Sequence, residues 1–434
     1  MKGDVKIGVI CLARTTFDFG AAKEIYDEKK TVLQQMESVD WVFWDDLVIE
    51  ADQAKDACRK LAQSEVNGVV VISGTFHLGH LALMVNDLVR KPMLLWAFPE
   101  LPYDGGKIRL NSVCGVNLNA SNLYKAGVDS YVCCLGSEID AAWVDALRMK
   151  AALSGAHVGI AGYRAHGFFN LSVEDLQEYR NFGILIDHYE LADVMGKCDG
   201  QPLKEEIACK YDCSCITGEQ TEKVGALASS MEAFIKKNSL DALAVRCWPE
   251  FADSFGVAPC AAMSYLAGEG YILGCEGDVE GTLSLLGAKA ACGGKPFLAD
   301  LSQVDINEDF ALMWHCGVAS PDLWDGESEK TLDTYFAGGR GVTADFVMKS
   351  GRVSVMRLDT ARGRTRLFIS AGEAIPMKKD LKGTYAKVRF DKHIAELLDT
   401  VTKKGIAHHV AMVYGDHTDA FKKFARICGF EIIE

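Results

Sequence analysis

The 434-residue chain predicts an α/β protein: two doubly wound α/β domains, residues 1–155 and 156–295, followed by a β-rich, barrel-like C-terminal domain, residues 296–434. Three features predict it. Short apolar runs alternate with helix-period segments up to about residue 150, the alternation restarts near Ala156, and beyond about residue 300 strand candidates crowd together between turn pairs.

In chain order, Lys6–Leu12, Trp41–Trp44, Gly68–Ile72 and Pro92–Trp96 read as strands with helices between them. Repeated β-then-α at this spacing predicts a parallel sheet. HVGIAGY from His157 opens a second series, continued by Phe182–Ile186, Ala242–Val245 and Tyr271–Cys275. The boundary near residue 155 rests on that restart alone, since no low-complexity linker parts the two series. Val353–Leu358, Arg366–Ser370 and Thr384–Phe390 then read as mostly antiparallel strands separated by Ser350-Gly351 and Lys382-Gly383. In the last of them Thr384, Ala386, Val388 and Phe390 alternate with Tyr385, Lys387 and Arg389, the period of a half-buried strand. GGRGV, residues 338–342, falls between strand candidates and reads as a turn, and a strand, helix and strand from Ile406 to Ile433 end the chain.

Composition removes several classes of function. With 49% hydrophobic and 24% charged residues and no run of 18 apolar ones, the chain reads as soluble, without a membrane span. The N-terminal MKGDVKIGVICL runs into a strand and does not resemble a secretory leader. A net charge of −14 repels phosphate backbones and anionic lipid, which argues against nucleic-acid and membrane partners and for a small ligand. Fifteen cysteines, none in a C-x-x-C pair, indicate reduced, cytoplasmic usage. Cys209, Cys213 and Cys215 in ACKYDCSC invite a metal reading, but their spacing is not a standard zinc one.

The most informative segment is GYILGCEGDVEGTLSLLGAKAACGGKPFLADLSQ, residues 270–303. A strand ending at Cys275 delivers Glu276, Asp278 caps a helix with Val279, Leu283, Leu286 and Ala290 on one face, and a strand at Phe297 delivers Asp300. If those strands are neighbours ~4.8 Å apart in one sheet, the two carboxylates converge where open α/β sheets bind ligands, and a divalent metal is the natural third party. The bland alternative is a set of solvated loop acids. In HHVAMVYGDHTD, strand alternation lets only one of His408 and His409 face a given site, Asp416 caps the final helix, and His417 reads as exposed. His315, alone in ALMWHCGVAS, is either a core histidine or a ligand, and His77 and His80 sit three apart at a helix start with nothing nearby to complete a metal set. Arg14, on the first βα loop, and Trp248 are candidate substrate contacts, the one for hydroxyls or an anionic group, the other for an apolar sugar face.

Most of the chain resembles the L-fucose isomerase and L-arabinose isomerase superfamily, most clearly over RCWPEFADSFGVAPCAAMSYLAGEGYILGCEGDVEGTLSLLGAKA, residues 246–290. The resemblance implies that Glu276 is the metal glutamate, that Asp300 in FLADLSQ is the metal aspartate, and that His409 in HHVAMVYGD is the metal histidine beside a substrate-contacting His408. WHCG puts His315 where arabinose isomerases carry a further histidine. VNLNASNLYKAG, residues 116–127, resembles the first-domain loop that reaches a neighbouring subunit's site, with Leu123 in place of the usual histidine. The resemblance further implies three domains, a Mn²⁺-type cation, and homotrimers or homohexamers with sites at subunit interfaces. The implied activity is aldose–ketose isomerisation of a deoxy or otherwise modified hexose, or of a pentose, through a cis-enediolate, with Glu276 and Asp300 as acid and base. Two readings stand beside it: a non-catalytic sugar-binding or sensor protein of the same fold, and a metal-dependent hydrolase.

Overall fold

The computed structural model describes residues 1–195 and 203–434, which form two compact units. One comprises Lys2–Ala151 with Lys422–Phe430, the other Ala152–Phe421 with Met1 and Glu431–Glu434.

In the first unit five parallel strands, β1 (Val5–Leu12), β2 (Val39–Val48), β3 (Gly68–Ser73), β4 (Met93–Ala97) and β5 (Tyr131–Leu135), lie in the order β2-β1-β3-β4-β5. GVVVIS and MLLWA are buried at every position, as strands in the middle of a parallel sheet must be. Leu12, Val69, Val71 and Leu95 pack with Leu61 and Val85 from the flanking helices. The segment expected as a loop at 116–127 is instead mostly the helix Ser112–Lys125, because Val116, Asn119 and Leu123 form a helical stripe that faces the core. His77 is a core histidine: its Nδ1 lies 3.0 Å from the Thr75 carbonyl and its Nε2 3.2 Å from Asn119 Oδ1.

The second unit opens with four parallel strands, β6 (His157–Ala161), β7 (Leu185–Tyr189), β8 (Ala242–Val245) and β9 (Leu273–Cys275), in the order β7-β6-β8-β9. The strand expected at Phe182–Ile186 starts later. Phe182 ends the helix Asp175–Phe182, Gly183 caps it in the left-handed conformation, and extended chain resumes at Leu185.

Nine strands complete this unit: β10 (Phe297–Asp305), β11 (Phe310–His315), β12 (Thr331–Phe336), β13 (Gly341–Val347), β14 (Gly351–Ala361), β15 (Arg364–Ile375), β16 (Thr384–Phe390), β17 (His409–Tyr414) and β18 (Glu431–Ile433). Because β16 pairs with both β11 and β15, the strands β16-β11-β10-β17-β14-β15 close into a six-stranded antiparallel barrel, which leaves no open edge among those six. Of GGRGV, only residues 338–340 lie in the link from β12 to β13; Gly341 and Val342 already belong to β13.

One expectation fails here. β9 and β10 are not neighbours: β9 pairs with β8 in the parallel sheet, whereas β10 belongs to the barrel. The helix Val279–Cys292 between them is buried on nearly every face, touching β8 and β9 on one side and β10, β14 and β17 on the other. A helix apolar all round sits between layers rather than on a surface.

Candidate metal centre and active site

The candidate site lies within the second unit, and each of its polar groups is placed by a local feature of the chain. After β9, Glu276 and Gly277 both turn through positive φ, 63° and 72°, swinging the chain from strand to helix. Only glycine fits at 277, since a Cβ there would stand 2.3 Å from the Tyr163 carbonyl oxygen. Glu276 therefore holds a conformation that L-residues avoid, an outlier of the kind that gathers at functional sites. Asp278 then caps the helix, accepting from the Gly281 N–H at 2.9 Å.

From the barrel, β10 and β17 pair antiparallel with Asp300 directly opposite His409, so both side chains leave the same face. His315 ends β11 with its ring 5.4 Å from that of His409. His409 Nε2 lies 3.5 Å from Glu276 Oε2 and 3.5 Å from Asp300 Oδ1. Ligand atoms of Glu276, His408 and His409 fall within 4.8 Å of one another, as do those of Asp300, His315 and His409. The pleat argument for His408 fails, because β17 begins only at His409: both rings turn to Glu276, their centroids 4.2 Å apart.

Hydrogen bonding fixes what each ring presents. His409 Nδ1 donates to Asp278 Oδ2 at 2.8 Å, which leaves a lone pair on Nε2 aimed between Glu276 and Asp300. His408 Nδ1 accepts from Asn170 Nδ2 at 3.1 Å, so its Nε2–H points at Glu276 Oε2, 3.4 Å away. Trp248 Nε1–H donates to the other Glu276 oxygen at 3.3 Å, and Phe168 sets its edge against both Trp248 and His408. Burial works to raise the pKa of Glu276, but the His408 hydrogen bond and the nearby imidazoles outweigh it and lower the value, keeping the carboxylate ionised.

These residues fit a divalent cation. Asp300 Oδ1 is buried without a hydrogen-bond partner among the described residues beside the free Nε2 lone pair of His409, and a ligand normally relieves such an atom; His315 Nε2, buried and likewise without a partner, faces the same space. Carboxylate oxygen with imidazole nitrogen suits a first-row ion such as Mn²⁺.

Sequence reasoning assigned Asp278 only a cap and missed Arg357. Arg357 is wholly buried and grips Asp278 in a fork, Nη1 to Oδ2 at 2.7 Å and Nη2 to Oδ1 at 3.1 Å, while Nη1 also donates to the His409 carbonyl at 3.0 Å. A lone arginine in the apolar VSVMRLDTA was the available signal. Asn170 and Phe168 were missed as well, and their position just past the carboxyl end of β6 was the only clue. Arg14 belongs to the first unit, where its backbone N–H donates to Thr75 Oγ1 at 2.8 Å. His417 is half-buried rather than exposed, its Nε2 being 3.2 Å from the Tyr414 carbonyl. Cys209 and Cys215 are exposed, and neither they nor Cys213 joins a metal-competent group among the described residues.

Glu280, in the first turn of the same helix, carries a pH dependence. Burial pushes its pKa up to about 8, and Arg357, 3.9 Å away, offsets only part of this. A carboxyl whose native pKa exceeds its unfolded value contributes stability that is present below about 4.5 and is lost as pH rises through about 8. The melting temperature of Glu280→Gln is therefore expected to decline less than that of the parent between about pH 5 and 8. Parallel curves for the two proteins would rule this out.

Comparison with known proteins agrees with this architecture. Residues 8–140 match the N-terminal domain of fucose/sulfoquinovose isomerases, and residues 326–434 match the C-terminal domain of L-fucose isomerase, together more than half the chain. The chain is 25% identical over 434 residues to a sulfoquinovose isomerase of Priestia aryabhattai, covering 97% of each protein. It is 24% identical over 396 residues to one of Alkalicoccus urumqiensis, covering 87% of this chain and 88% of that one. A solute-binding protein of an ABC transporter from Burkholderia multivorans overlaps at 12% identity, 58% of this chain, 85% of that one and a TM-score of 0.18, too low to carry an argument. The class that results is the sugar isomerases, intramolecular oxidoreductases that interconvert aldoses and ketoses. The chain belongs to the fucose isomerase-like superfamily.

Proposed function

We propose that this chain is a divalent-cation-dependent aldose–ketose isomerase working through a cis-enediolate, with Glu276, Asp300 and His409 holding the cation and the two carboxylates moving the protons. One observation carries the reading: three potential ligands from distant parts of the chain meet, and Asp300 Oδ1 and His315 Nε2 are buried there without hydrogen-bond partners among the described residues. The cation, Mn²⁺ in this proposal, would act as a Lewis acid on adjacent sugar oxygens and offset the negative charge of the enediolate.

The protein groups do the rest. One carboxylate takes the proton from C2 of the aldose, leaving a cis-enediolate with its charge on O1; the carboxylic acid so formed, after exchange with solvent, protonates C1 while the O2 proton passes by way of the other carboxylate to O1, giving the ketose with no atom gained or lost. Proton transfer of this kind contributes typically ~10²–10⁴-fold. Trp248 and His408 donate to the two Glu276 oxygens and hold that carboxylate in its ionised form. His315, whose Nδ1 accepts from the Cys316 N–H at 2.9 Å, presents Nε2–H as a donor to a sugar hydroxyl. Trp248 offers an indole face to the sugar, and Arg14 is proposed as a contact to a hydroxyl or anionic substituent.

Sulfoquinovose is the first substrate to try, because the similar curated proteins carry that name. The proposal retains three domains (1–155, 156–295 and 296–434, each holding one of the three sheets), doubly wound packing of the first two, a cytoplasmic location and a homotrimer or homohexamer with sites at subunit interfaces.

The test is incubation with Mn²⁺ and a panel of aldoses that includes sulfoquinovose, in D₂O. The expected product is a ketose isomer with one solvent deuteron on carbon. Hydrolytic cleavage products, or no turnover of any sugar, would refute the proposal.

A further inference from the structure

We propose that the tip of the β14–β15 hairpin and the end of the helix Ile394–Lys404 form a binding site for a small multivalent phosphate anion, in addition to the isomerase site. The chain has a net charge of −14, yet an open cavity of about 640 Å³ is lined by Arg362, Arg364, Arg366, Lys403 and Lys404 against a single acid, Glu431. That volume suits a metabolite-sized ligand.

The hairpin is built in a way that favours charge over ease of folding. β14 and β15 pair up to Ala361 opposite Arg364, so the turn is the two residues Arg362-Gly363, both at positive φ, 54° and 73°. Turns of this kind favour Asn-Gly, since a long side chain at the first position is sterically disfavoured. The residue kept there is a cation. Arg364 follows on the same strand face as Arg366, two residues on.

Arg366 makes the cavity rigid. Its Nε donates to Asp359 Oδ2 at 2.8 Å, its Nη1 to the Lys404 carbonyl at 2.7 Å and its Nη2 to the Gly405 carbonyl at 3.1 Å. These bonds tie the hairpin to the helix end and cover carbonyls whose partial negative charge would otherwise oppose an anion. Arg366 is thus a fixed floor with its donors engaged and its charge paired with Asp359, so it shapes the cavity and leaves the anion to its neighbours. Direct contacts fall to Arg362 and Arg364, which have no ion-pair partner among the described residues, and to Lys403 and Lys404, which pair with Asp399 at 2.8 Å and Glu431 at 3.5 Å. Arginine forks match phosphate oxygens bidentately. An extended polyanion would meet the acidic remainder of the surface, whereas a small one meets only this pocket.

The experiment is calorimetric titration of the full chain with pyrophosphate, with no added divalent cation and with ionic strength held constant by sodium chloride. One ion per chain is expected, bound on the order of tenfold or more tighter than inorganic phosphate. The double variant Arg362→Glu, Arg364→Glu is expected to lose at least about tenfold in affinity while its melting temperature and sugar-isomerising activity stay at parental values. Arg362→Ser, Arg364→Ser gives the same loss without reversing charge. If pyrophosphate does not bind, binds no better than inorganic phosphate, or binds these variants as it binds the parent, the site does not exist.

Discussion

Glu276→Gln is expected to lower kcat for sugar isomerisation by about 10²–10⁴-fold. Gln has the size and shape of Glu and tolerates the same backbone turn as poorly, so the fold is left as it was. What disappears is the charge. Glutamine cannot accept a proton from carbon, offers a cation a weaker oxygen, and would set an amide N–H against either the Trp248 indole N–H or the His408 ring N–H that now donate to Glu276. Circular dichroism and melting temperature should match the parent, and loss of deuterium wash-in at the sugar carbon should parallel the loss of kcat. Activity within a few-fold of the parent would remove Glu276 from the chemistry.

Asp278→Asn should act at one remove and in two measurable ways. Asn keeps the helix cap, since its oxygen still accepts from the Gly281 N–H, so capping loss does not confuse the result. At the other oxygen's position the amide would face donors from both Arg357 and His409. Arg357, wholly buried, then loses its closest countercharge and keeps only Asp359 at 3.4 Å and Glu280 at 3.9 Å, and breaking such a pair costs about 3–5 kcal/mol. His409 simultaneously loses the acceptor that fixes its tautomer, and disturbing a ligand's supporting bond typically costs ~10–100-fold in metal affinity. The variant should therefore melt lower and need more Mn²⁺ to reach its maximal rate, while that rate recovers part of the parent's at high Mn²⁺. A variant as stable as the parent would contradict the role given to the buried pair, and an unchanged Mn²⁺ requirement would contradict the role given to His409.

Local pattern made much of the fold legible. GVVVIS and MLLWA are apolar at every position because both faces of a parallel sheet are covered, and that is readable without partners. Barrel closure was not, since it depends on β16 finding β11 on one edge and β15 on the other, and no residue in TYAKVRF specifies two neighbours. The condition that β9 and β10 be neighbours fails because Val279–Cys292, read from Val279, Leu283, Leu286 and Ala290 as apolar on one face, is nearly free of a polar face and sits sandwiched between layers. Within the site, Glu276 stands out as an acid at a strand end and Asp300 as an acid following an apolar run, although Asp300 lies inside β10 opposite His409 rather than at its carboxyl end. Asp278 and Arg357 do not stand out, because an N-cap and a strand arginine are each ordinary until the fold brings them, 79 positions apart in the chain, into contact.

The most direct test is Mn²⁺ binding followed by electron paramagnetic resonance, comparing the parent with Asp300→Asn and His409→Ala. One tightly bound ion per parental chain, with binding weakened at least about tenfold in each variant, is the result expected of a centre built from Glu276, Asp300 and His409. Parental protein that binds no Mn²⁺, or variants that bind it as tightly as the parent, would show that these side chains meet for some other reason.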